Sequence, residues 1–269
     1  MRTNLRRLRA ITTKELITLT SYRFAMVMRL FSIWYFAVSF YFIGQFLGTA
    51  EALDDLGVGY FEFVLVGSIV TSFAIVGLTS FSDQIGEEQD EGTLEAILAT
   101  PTPMWPIVVA SFAVPSIFVL VETVVLVTVG FGIFGTGMPI AGLARSIPLL
   151  VLTAGSFAPL GILSASIIVL TKRGDAFGGP ARQLTLLLSG ALYPISVLPG
   201  WLAVVSKLIP ATYGIRGTRA LVEQDASLAD VVDEMAILLV FIAALLPLSI
   251  AVFHRAVSAA RRAGTLGTY

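Results

Sequence analysis

Apolar residues in this chain come in long unbroken runs, with polar residues confined to a few clusters between them. Six runs approach or exceed the roughly 20 residues needed to cross a bilayer: 24–48, 61–82, 106–134, 147–170, 179–198 and 232–253. In hydrocarbon, backbone amides have to bond internally, so such segments are helices or a closed barrel. Barrel strands alternate apolar and polar positions, and these runs do not. The pattern predicts an all-α membrane protein with six transmembrane helices in a single transmembrane domain, 1–269.

Composition agrees. Of 269 residues, 56% are hydrophobic and 13% charged, against roughly 25% charged in a soluble domain. Mean hydropathy is +0.89. The basic N-terminus followed by an apolar run superficially resembles a signal peptide. That run starts only near Phe24, is too long for a signal core and ends at no small-x-small site, so it reads as a retained first span. Cysteine is absent, which removes disulfides, thiolate nucleophiles and cysteine metal sites. The single histidine, His254, lies just past the sixth run and reads as a headgroup-level residue, not a metal ligand. A net charge of −1 gives no reason to expect nucleic acid as a partner.

Lysine and arginine set the expected orientation. Of 17 such residues, thirteen fall on one side: the N-terminal segment through Arg29, then Lys172, Arg173, Arg182, Arg255, Arg261 and Arg262. Arg145, Lys207, Arg216 and Arg219 fall on the other. Both termini are therefore expected in the cytoplasm of a multi-pass cell-membrane protein. Within 1–23, Leu5, Leu8, Ile11, Leu16 and Leu19 recur at near-helical spacing among basic residues. This suits an amphipathic helix in the inner headgroup layer.

One cytoplasmic connection, 83–105, departs from its surroundings. Its stretch DQIGEEQDEGTLEAILATP carries six carboxylates and no lysine or arginine. Leu94, Ile97 and Leu98 form one apolar stripe if the segment is helical. Asp90 or Thr93 could cap that helix. Pro101 and Pro103 stop it, and Trp105 marks the return to the membrane interface. The expectation is a short amphipathic helix that docks a soluble partner.

This stretch resembles the cytoplasmic signature of type-2 ABC-transporter permeases. The correspondence falls at Glu91, Gly92, Thr93, Leu94, Glu95, Leu98, Thr100 and Pro101. Glu91 directly precedes Gly92, without the basic residue often found between them in that family. A second block, SGALYPISVLPGWLAVVSKLIPATYGIRGTRALV (189–222), is similar to the family's fifth-span exit at Ser189, Gly190, Tyr193, Pro194, Leu198, Pro199, Trp201, Pro210, Tyr213 and Arg219. The resemblance implies that Glu91 to Pro101 couples the chain to a separate cytoplasmic ABC ATPase. ATP and Mg would be held by that partner, with no cofactor bound by this chain. It also implies a second permease subunit, the same or different.

The second block can be read on its own residues. Pro194, Pro199 and Pro210 forbid one straight helix. The apolar stretch between the last two is too short to span, so it reads as a re-entrant or interfacial segment. Residues 194–222 are expected to form either an external gate over a path or an amphipathic loop on the outer leaflet, and the resemblance favours the gate. Tyr193, Pro194, Leu198, Pro199, Trp201 and Pro210 would build it. Lys207, Arg216 and Arg219 would snorkel to lipid phosphates.

There is no P-loop, no H-E-x-x-H and no G-x-S-x-G elbow, so the chain is not expected to be an enzyme. The leading expectation is the membrane subunit of an ATP-driven exporter. It would move a small amphipathic molecule, lipid or lipid-linked glycan. The alternative is a secondary transporter driven by an ion gradient, for which Glu122 in the third run is a lone intramembrane candidate. An intramembrane enzyme or scaffold is disfavoured because no catalytic cluster is visible. Trp34 and Tyr41, in an aromatic-rich first run, either line an apolar path or face lipid and a packing neighbour.

Overall fold

The computed structural model describes residues 23–47, 59–94, 104–137, 139–171 and 177–262. The described residues form helices joined by turns, without strands. Three helices, α2 (Tyr60–Asp90), α5 (Ile147–Thr171) and α9 (Val232–Arg262), are long and apolar enough to cross a membrane, as is the Val114–Gly132 part of α3 (Met104–Gly132). The first helix, α1 (Arg23–Leu47), has a shorter apolar stretch, Phe31–Leu47. Shorter pieces are α4 (Ile140–Arg145), α6 (Gly178–Leu188), α7 (Gly200–Ser206) and α8 (Pro210–Glu223). Of the amphipathic helix expected over 1–23, residues 1–22 lie outside the described residues, and Arg23 opens α1.

α2 is apolar on nearly every face, as a helix inside a bundle should be, and 78% of its most apolar window is buried. α5 packs along it, and α9 packs on α5. Small residues bring α2 and α5 together. A Cβ on Gly77 would lie 2.1 Å from the Ala154 carbonyl oxygen, and one on Gly161 would lie 2.6 Å from that of Leu78. Backbones approach this closely in membrane bundles only where side chains are missing. The core divides along α2. At one end, Phe61, Leu65 and Ile69 pack with Ala191, Ile215 and Val222. At the other, Phe81, Ile85 and Leu94 pack with Ile168, Phe253 and Val257. We refer to these as the proline-broken end and the acidic end.

Two expectations need correction. The fifth predicted span, 179–198, is not one helix. α6 has 11 residues, a rise of about 16 Å, which is half of a roughly 30 Å hydrocarbon core. Gly190 then takes φ 82, and Pro194 starts a 3-10 turn over Ile195–Val197. An apolar run overstates helix length where glycine and proline turn the backbone inside it. Conversely, α2 does not stop at 82 but continues to Asp90. Glutamate and glutamine are good helix formers, so the first part of the acidic insert is the last two turns of α2. Asp90 is therefore not an N-cap.

Candidate functional site

The end of α2 is built by the signature residues themselves. Gly92 adopts φ 70, which glycine accepts without a Cβ penalty. Its N–H donates to the Gln89 carbonyl at 3.0 Å, and the Thr93 N–H donates to that of Glu88 at 2.9 Å. These two bonds form a Schellman stop. The Thr93 hydroxyl donates to the Glu88 carboxylate and so closes the helix behind it; the residues whose N–H groups it would cap ahead lie outside the described residues. Glu91, Gly92 and Thr93 are exposed. Leu94 is 1% exposed and belongs to the acidic-end core. The sequence placed Leu94 on a docking stripe; the fold turns it inward, because the Schellman turn folds the chain back onto Phe81 and Ile85. Glu95, Leu98 and Pro101 lie outside the described residues.

A cleft runs beside α2. Its polar chamber, about 300 Å³, lies between α2 and α3 and is lined by Thr79, Ser80, Asp83, Gln84, Glu87 and Ser111, among others. A second chamber of about 420 Å³ reaches α1 and is lined mainly by apolar groups such as Ile33, Phe36, Ile69 and Leu126. Ser72, Ile75 and Glu122 line both. Ser72, Thr79, Asp83 and Glu87 follow one another at intervals of seven, four and four residues, which places them along one side of the helix. Of the residues singled out for a path, only Glu122 is here. Tyr41 stacks on Phe134 with ring centroids 4.2 Å apart and meets Phe61 edge-on. Trp34 is 44% exposed beside Phe31.

At the opposite end, each proline begins a helical piece, the position where its missing N–H and fixed φ cost least. Pro194 precedes the 3-10 turn, Pro199 precedes α7 and Pro210 is the first residue of α8. The Tyr193 hydroxyl donates to the Leu187 carbonyl. The hydroxyls of Thr212 and Tyr213 donate to the Ser206 and Lys207 carbonyls at 2.8 and 2.9 Å, closing the α7–α8 turn. Trp201, Val204 and Leu208 are exposed, while Leu198 is half-buried.

Arg219 does not snorkel. Its Nη2 donates to the carbonyls of Phe63 on α2 and Gly190 in the bend, both at 3.1 Å. Its guanidinium carbon lies 3.4 Å from the Phe63 ring centre, within cation–π range. Glu223 is 3.8 Å from Nε, an ion pair without a hydrogen bond. Burial pulls the Arg219 pKa down to about 10, against the opposing pull of Glu223. Burial pushes the Glu223 carboxyl up, while Arg219 pulls it down. Arg216, whose side chain is 60% exposed, pairs through Nε with Glu234 at 2.8 Å.

The family model of ABC-2 type transporters matches residues 6–222, which contain both signature blocks. The chain belongs to the ABC-2 type transporter family. This ABC-2 permease is also similar to the "Probable multidrug ABC transporter permease YbhR" of Escherichia coli strain K12. They are 29% identical over 193 residues, 71% of this chain and 51% of that protein. The O157:H7 counterpart matches equally. The chain spans about half the length of these curated relatives.

In the permease, Arg219 holds the bend after α6 against α2. Arg219→Met should cost about 2–4 kcal/mol, because two carbonyls lose a charged donor and Glu223 loses its partner. Arg219→Lys should recover little, since an ammonium cannot cover the ring and reach both carbonyls. Thermal unfolding in detergent measures both; wild-type midpoints would remove the staple. Sequence reading missed the cleft's hydroxyls and its Asp83 and Glu87. Their signal was the helical spacing of Ser72, Thr79, Asp83 and Glu87 across an apolar run and into the insert.

Proposed function

We propose that this permease is the membrane subunit of an ATP-driven exporter of small amphipathic molecules, lipids or lipid-linked glycans. One observation carries the reading. α2 is a single helix whose last turn ends at Glu91-Gly92-Thr93 and whose first turn holds the broken segment through Arg219 and Phe63. From Phe63 to Asp90 it spans about 40 Å, long enough to join the two faces of a bilayer. In this reading a cytoplasmic ATPase docks on the exposed turn and the residues after it, through Glu91 to Pro101. ATP and Mg are bound there, not on this chain. Movement of α2 then reaches the segment 194–222, which acts as the external gate. α6 and that segment take the fifth position of a six-crossing, multi-pass topology in the cell membrane, with a re-entrant piece and both termini cytoplasmic. A second permease subunit completes the path. Family membership supports this over an ion-gradient carrier, although Glu122 lines the cleft.

The insert's carboxylates that do not line the cleft, Glu88, Asp90, Glu91 and Glu95, call for a basic docking surface on the ATPase. Exposed pairs contribute only about 0–1 kcal/mol each, so the effect is collective. Co-purification of the permease with its ATPase should weaken steadily as salt rises from 0.05 to about 0.5 M, where the Debye length shrinks several-fold. Assembly that ignores salt would contradict charge-guided docking, and no assembly at any salt would contradict the exporter reading.

A further inference from the structure

We propose that the two-chambered cleft beside α2 is a binding site for an amphipathic amine, with the ammonium head in the polar chamber and the apolar body in the other. The first observation is the division of the cleft. The polar chamber extends along α2 from Ser72 to Glu87, and the apolar chamber from Ser68 to Ile75, the two meeting at Ser72, Ile75 and Glu122. Such a gradient fits a molecule with one polar and one apolar end. Asp83 and Glu87 place the polar end toward the acidic end of the bundle, beside the core that holds Leu94.

The second observation is independent of charge. Ser80 lines the polar chamber, is 7% exposed, and its Oγ has no hydrogen-bond partner. One turn along, Gln84 lines the same chamber, and its buried Oε1 has none either. An amide oxygen can only accept, and a buried acceptor left unpaired is costly. Gln84 Oε1 therefore calls for a donor from outside the described hydrogen bonds, and the Ser80 hydroxyl for a partner of either kind. The remaining chemistry of the chamber points the same way. Asp83, Glu87 and Glu122 are acceptors when ionised. Each is already engaged within the protein, and because an ionised carboxylate offers about four lone-pair sites, it can accept from a ligand alongside a protein partner. The described lining of either chamber contains no lysine or arginine. The orphan Gln84 acceptor together with the carboxylates selects a head that donates several hydrogen bonds and carries positive charge. A primary ammonium has three donors and no acceptor, whereas a carboxylate or phosphate head could donate nothing to Gln84 Oε1 and would face the like charge of Asp83, Glu87 and Glu122.

Calling this ligand cargo rests on the exporter reading; the binding site itself does not. The test is therefore binding to the full-length permease in phosphatidylcholine nanodiscs, with no ATPase and no nucleotide. The probes are a dansyl-alkylamine and the dansyl-alkanoic acid of equal chain length. The amine should bind with blue-shifted, enhanced emission, and the acid should bind at least about tenfold more weakly. Glu122→Gln and Gln84→Leu should each weaken amine binding about tenfold, as expected for loss of a charged or buried hydrogen-bond partner. A second measurement does not depend on those variants folding. The chain has no cysteine, so Ser72→Cys supplies one thiol where the chambers meet. The amine should slow its reaction with a small maleimide and the acid should not. Equal binding of the two probes, unchanged affinity in both variants, or no protection at Ser72→Cys would overturn the site. Selective binding without ATP-driven transport would leave the site standing and remove the exporter reading. ATP-driven transport without selective binding would do the reverse.

Discussion

Leu94→Asp is expected to destabilise the permease by upwards of about 4 kcal/mol. Truncating a buried leucine alone costs about 2–5 kcal/mol, and a carboxylate placed among apolar side chains adds a desolvation penalty or must take up a proton. Leu94 is 1% exposed and packs with Phe81, Ile85, Phe253 and Val257. The variant should lower the unfolding midpoint in detergent and release the turn at Glu91-Gly92-Thr93. Leu94→Ala should lower it less. Leu98→Asp, beyond the turn, separates folding from docking. If 98 faces the ATPase, that variant keeps the wild-type midpoint and loses ATPase capture. A wild-type midpoint for Leu94→Asp would mean that Leu94 is not part of the core. A lowered midpoint with lost capture for Leu98→Asp would assign both leucines to packing.

Cross-linking the proline-broken segment is expected to stop transport completely. Leu198 stands half-buried between the 3-10 turn and Pro199, where the backbone is extended. In the gate reading, Leu198→Cys in two adjacent permease subunits brings two thiols to the path's external side. A disulfide there holds the segment closed whatever the ATPase does at the other face, because α2 transmits movement only if its far end is free to follow. Oxidation should abolish transport, leave ATP hydrolysis measurable, and be reversed by reductant. The cysteine-free background confines the chemistry to the chosen position. Complete cross-linking with undiminished transport would leave the segment as a membrane-surface element.

Much of the fold was legible because the bilayer imposes one rule on every span. Long apolar runs correspond to α1, α2, α3, α5 and α9. The fifth run misled because apolarity reports burial and not straightness; Gly190 and Pro194 turn the chain inside it. The acidic insert misled in the other direction. Its glutamates and glutamine prolong α2, so a change of polarity was read as an end of helix. The position of Gly92 within the signature was visible, and the Schellman bonds now give it a reason: only a residue without a Cβ takes φ 70 freely. Arg219 was assigned to the membrane surface because long cations usually snorkel. Its inward position depends on the free carbonyl at the Gly190 bend and on the Phe63 ring, which come together only in three dimensions. The cleft was hidden for a related reason. Ser72 and Glu122 lie on different helices, and their meeting depends on how α2 and α3 pack.

The central claim is that transport through this permease is powered by ATP hydrolysed on a separate subunit. Inside-out proteoliposomes containing the permease and its ATPase test it directly, loaded with neither ion gradient nor membrane potential. External ATP and Mg should drive uptake of a fluorescent amphipath, and uptake should vanish on Mg chelation or with permease alone. Ionophores should leave it unchanged. Uptake that proceeds without ATP and collapses with ionophores would contradict the account and identify an ion-gradient carrier.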